Sequence, residues 1–69
     1  MIEVFKTDVK EIIQAKKIIA LLHQRFPGSR ANFDLDDCDS VLRIEGDNFI
    51  PEEAIKLAKE NGVICDILP

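Results

Sequence analysis

The side chains in this chain that could do chemistry are two thiols, Cys38 and Cys65, one imidazole, His23, and a run of carboxylates at Asp34, Asp36, Asp37 and Asp39. Hard cations such as Ca²⁺ require about six to eight oxygens from a constrained loop. The acidic run lacks the glycine and the distal glutamate that such a loop needs, so it reads as a solvated polar turn. The alternative expectation is metal or small-ligand binding at this acidic end, with Asp36, Asp37, Cys38 and Asp39 as the donors. His23 has no serine or cysteine partner assignable beside it, which leaves a nucleophilic arrangement without support. Gly28, Gly46 and Gly62 are isolated, so no phosphate-cradling loop is present. Paired carboxylates in an apolar cleft are likewise not discernible. No catalytic residue, metal site or cofactor is expected, and the protein is expected not to be an enzyme.

The elements that would hold these groups must come from one domain, because 69 residues suffice for one and not two. A domain of that size buries only about 60% of its unfolded surface and has little apolar material for a deep pocket. Thirteen acids against nine bases give a charge of −4 and a pI near 4.8. That field repels nucleic-acid backbones and anionic membrane surfaces alike. The longest apolar run, Ile18 to Leu22, falls far short of a membrane span. Met1 to Phe5 carries no basic region or apolar signal core, and two cysteines do not make a disulfide scaffold. A cytoplasmic setting is expected.

Ile2 to Lys6 alternates as a strand, with Ile2 and Val4 on one face and Glu3 on the other. Asp8 and Glu11 are spaced as a capping pair and open a helix from Val9 to Phe26. Its apolar stripe is Ile12, Ala15, Ile19, Leu22 and Phe26, which leaves His23 at the border, and Pro27-Gly28 ends it. Ala31, Phe33 and Leu35 alternate with Arg30, Asn32 and Asp34, and Ser40 to Glu45 alternates with Leu42 and Ile44 inward. A short acidic turn joins the two runs into a hairpin. Pro51-Glu52-Glu53 starts a second helix with the stripe Ala54, Ile55, Leu57 and Ala58, and Asn61-Gly62 stops it. Val63 to Leu68 is the last strand, with Cys65 and Ile67 inward and Asp66 outward.

This order predicts an α+β fold: a ferredoxin-like βαββαβ sandwich with a four-stranded antiparallel sheet in strand order 4-1-3-2. Both helices lie on one face of it. Cys38 then sits in the hairpin turn and Cys65 in the core near the far edge. Bonding thiols need Cα atoms within ~7 Å, so both are expected to be free.

In element order and length the chain resembles the heavy-metal-associated domains of copper chaperones and metal-transporting ATPases. Glu53-Ala54-Ile55-Lys56-Leu57-Ala58-Lys59-Glu60-Asn61-Gly62-Val63 is similar to that family's second helix and the turn after it. Pro27-Gly28 and the strand running to Leu35 resemble its central segment. The family binds soft metal through Met-x-Cys-x-x-Cys after the first strand, where this chain reads Lys6-Thr7-Asp8-Val9-Lys10-Glu11-Ile12-Ile13 and has no soft donor. The resemblance therefore implies the scaffold without its metal site, and no ligand residue carries over. The turn after the first strand also lacks the arginine of acylphosphatases, which share this topology.

With the helices on one side, the other side of the sheet meets water. Phe5, Val41 and Arg43 are expected at its centre, with Ile64 and Leu68 on an outer strand. Contiguous apolar patches of this kind mark interfaces. The expected role is a noncatalytic interaction domain that docks a second copy or another protein there. One phenylalanine on an acidic surface does not suit RNA, which needs stacked aromatics and basic charge.

Overall fold

The computed structural model describes residues 1–68. The chain runs β1 (Ile2–Thr7), α1 (Ile12–Arg25), β2 (Arg30–Asp34), β3 (Val41–Glu45), α2 (Pro51–Glu60) and β4 (Cys65–Ile67). The strands form one antiparallel sheet in the order β2-β3-β1-β4. Ala15, Ile18 and Leu22 of α1 and Ala54 and Ala58 of α2 share a single core with Phe5, Leu42, Ile44 and Cys65 of the sheet. Both helices therefore cover the face that carries those strand residues.

The phase of β1 differs from the one its alternation suggested. Phe5 is fully buried, and it lies opposite Leu42 on one side and Ile67 on the other. Val4 is half-buried opposite Arg43, and Ile2 is 52% exposed opposite Glu45. Two aliphatics on one face compete with one aromatic on the other, and a strand's period of two makes the choice all or none. The central strand under two helices puts its phenylalanine inside. Glu3 shares that face, but it sits near the start of the strand and is only half-buried.

Helix α1 starts three residues later than its apolar period suggested. The expected Asp8–Glu11 cap does not form: Glu11 makes no side-chain cap bond, and Asp8 Oδ1 instead accepts from the amide of Ile64 (2.9 Å). Thr7 Oγ1 takes the Val9 amide (3.2 Å), so residues 8–11 become a connector, with Val9 folded fully into the core. The buried stripe is Ala15, Ile18 and Leu22, continued by Phe26, while Ile12 is 62% exposed. Past the helix, the Phe26 carbonyl accepts from both the Ser29 Oγ (2.7 Å) and the Ser29 amide (3.0 Å). Gly46 lies against this corner, and a Cβ there would come within 3.0 Å of the Ser29 Cα. Phe26 meets Phe49 edge-on, with ring centroids 6.3 Å apart. Arg25 packs over the Phe26 ring and pairs with Glu53, which ties α1 to α2.

Candidate functional site

The uncovered sheet face is assembled by the cross-strand register. Arg43 of β3 is opposite Val4 of β1 and Asn32 of β2. Glu45 is opposite Ile2 and Arg30, and Val41 is opposite Asp34. On the far side Lys6 faces Asp66, and the Leu68 amide donates to the Val4 carbonyl (2.8 Å). Val41 and Leu68 are half-buried, and Ile64, at the border of the face, is 65% exposed. Four of the five expected surface residues (Val41, Arg43, Ile64 and Leu68) thus lie on or beside this face. Phe5 does not, because it belongs to the core. Val4 and Ile2 take its place, and the signal that could have found them is the volume of Phe5, the one β1 side chain able to fill the space under two helices. Arg43 and Glu45 are neighbours along β3 at 3.7 Å, with side chains 56% and 50% exposed, which makes theirs a solvent-screened pair.

The hairpin tip holds the carboxylates. Asp34 Oδ1 accepts from the Asp36 amide (3.2 Å) and Asp37 Oδ1 from the Asp39 amide (2.8 Å). These are side-chain-to-backbone turns, which is a local reason for aspartates at these positions. Ser40 has φ of 43°, in the left-handed region. Its carbonyl accepts from Thr7 Oγ1 (2.7 Å) while the Asp39 carbonyl accepts from the Thr7 amide (2.9 Å). The end of β1 thereby clasps the hairpin. Asp37, Cys38 and Asp39 each offer a ligand atom within 4.8 Å of the others, and Asp36 stands outside that group. All three are exposed. Three donors fall short of the four that a structural zinc site uses, and two carboxylates with one thiol match neither soft nor hard ions well.

The two thiols are free and occupy opposite environments. Cys65 is buried opposite Thr7, and burial, reinforced by the adjacent Asp66 charge, pushes its thiol up to about 12. It behaves as a small apolar side chain, inert near neutrality. His23 is exposed in the last turn of α1. It lines a shallow groove with Ile19, Ser29, Arg30, Ala31 and Asn32, where the Ser29 hydroxyl is buried and donates to the Phe26 carbonyl.

A second depression, about 290 Å³, adjoins this groove at Ser29 and lies between Arg25, Phe26, Asp47 and Phe49. Of its two charged groups, Arg25 is already engaged by Glu53 and Asp47 is exposed. Among the described residues every buried side-chain nitrogen or oxygen has a hydrogen-bond partner, so none is left aimed at a ligand. No described helix is long and apolar enough to cross a membrane. No protein-family model, curated protein or solved structure matches this chain.

Proposed function

We propose that this protein is a noncatalytic interaction domain of ferredoxin-like architecture whose open sheet face docks a protein partner. The strand order read from the β4 edge runs 4-1-3-2, which supports that architecture and the scaffold resemblance to heavy-metal-associated domains. The observation that carries the functional reading is the composition of the uncovered face. Ile2, Val4, Val41 and Leu68 are apolar there, with Arg43, Glu45, Lys6 and Asp66 interspersed. An apolar centre supplies affinity on burial, and flanking charges of both signs orient the partner. The fitting partner presents an apolar patch bordered by complementary charges. The free thiols support a reducing, cytoplasmic setting.

Quantitative affinity capture from the native cell, with wild type and with the double variant Val4→Asp, Ile64→Asp as baits, tests this reading. Proteins retained by wild type and lost with the variant, whose fold is checked by amide spectra, are the expected result. Identical captured sets, or none, would remove the open face as an interaction surface.

A further inference from the structure

Strand β2 is an edge, hydrogen-bonded to β3 alone, and its sequence reads Arg30-Ala31-Asn32-Phe33-Asp34. We propose that β2 pairs antiparallel with β2 of a second copy of this chain, about a two-fold axis at Asn32, to continue the sheet from one subunit into the next. This contact goes beyond the open-face reading and does not depend on it.

The argument is self-complementarity. Antiparallel pairing centred on Asn32 sets Arg30 opposite the partner's Asp34 and Asp34 opposite the partner's Arg30, so each contact is an opposite-charge pair. It sets Asn32 opposite its own copy, where two amides can donate and accept. Ala31 meets the partner's Phe33, a small side chain against a large one. Cross-strand pairs of this kind are the units that stabilise sheets, and one patch that serves both subunits is what a two-fold interface requires.

The monomer's own register extends the pattern. Arg30 is already opposite Glu45 within the subunit, so Asp34 of one copy would face a row reading Arg30 and then Glu45 on the other, with signs alternating across the axis. Phe33 and Ala31 are only half-buried against the core, because nothing covers their outer side among the described residues. A paired strand would cover it.

Register also limits the alternatives. Centring the axis on Ala31 removes both charge pairs, and centring it on Phe33 moves Arg30 opposite Asp36, outside the strand. Only the Asn32 axis pairs all five strand residues. The opposite edge behaves differently: β4 has three residues, Cys65-Asp66-Ile67, and self-pairing about its centre would place two aspartates face to face. Unpaired edges invite strand addition, and of the two only β2 invites its own copy. An edge contact buries less than the ~1,200 Å² of a standard interface, so the dimer should be weak.

Sedimentation equilibrium of the full chain tests this with charge variants. Arg30→Asp alone and Asp34→Arg alone each place like charges opposite one another twice, and each should raise the dimer dissociation constant roughly tenfold or more. An equimolar mixture of the two restores opposite signs at both contacts and should recover wild-type association. Slowed amide exchange in β2 at high protein concentration should accompany it. If either charge variant misfolds, Asn32→Asp substitutes, since it sets two carboxylates against each other at the axis while remaining opposite Arg43 within its own subunit. A wild type that stays monomeric up to about a millimolar overturns the proposal. So does a dimer that the charge variants leave intact, or one that dissolves with Val4→Asp instead, which would move self-association to the open face. Loss of partner capture with Val4→Asp, Ile64→Asp, without change in the dimer, bears on the open-face reading alone.

Discussion

The two faces of this sheet are built from the same strands and residues one position apart, yet they live under opposite physics. On the roofed face Phe5, Leu42 and Ile44 are 0–1% exposed and pack against both helices. On the open face, one residue over, Val4 and Val41 are half-buried between Arg43, Lys6 and Asp34. Side chains under the helices must fill space; those on the far side must remain compatible with water until something covers them. Stability therefore resides on one face, and the proposed docking surface is the other.

The sharpest way to break this comparison is to truncate neighbours. Phe5→Ala should cost about 3–5 kcal/mol, near the whole stability of so small a domain. Val4→Ala, one residue away, should cost under about 1 kcal/mol, because its site is open and can be refilled by solvent. Denaturant unfolding of both variants checks this, and equal losses would mean that the faces are misassigned.

The thiols sharpen the same contrast at intermediate size. Exposed Cys38 should react with a disulfide reagent in the native protein, whereas Cys65 should react only at the rate of opening or unfolding. The Cys65 thiol is raised from about 9.0 to about 12 in the fold. Between those values the unfolded chain gives up a proton that the native chain keeps, so unfolding is favoured progressively as pH climbs. Below that window the group has no effect. Subtracting the pH profile of Cys65→Ala from that of wild type should isolate this loss, and superimposable profiles would show that Cys65 is not protected.

The smallest effect belongs to the open face. Arg43→Ala removes an exposed pair with Glu45 and should change stability by less than about 0.5 kcal/mol. A larger loss in chemical unfolding would show that this face already contributes to the fold and is not held in reserve for a partner.

Much of this architecture was readable beforehand where two signals agreed. The hairpin was so because alternation on both sides flanks an aspartate-rich turn, and α2 because Pro51, two glutamates and a closing Asn61-Gly62 all mark one helix. The structure departs where signals compete. Asp8 had the type and spacing of a helix cap, but the amide of Ile64, 56 residues away, took its carboxylate. The acidic run reads as a polar turn, with a donor set only as its alternative. Two of its side chains hold that turn, and Asp36 lies apart from the group formed by Asp37, Cys38 and Asp39.

From the residues alone follow the order of elements, the inward phase of β2 and β3, and the acidic charge of the whole, because these depend on local periodicity and composition. The phase of β1, the start of α1 and the clasp of Thr7 on the hairpin were decided only by tertiary structure. Each turns on a partner remote in sequence: Leu42 and Ile67 for Phe5, Ile64 for Asp8, and Ser40 for Thr7. Local rhythm cannot weigh one aromatic against two aliphatics; the volume enclosed by two helices and a sheet can.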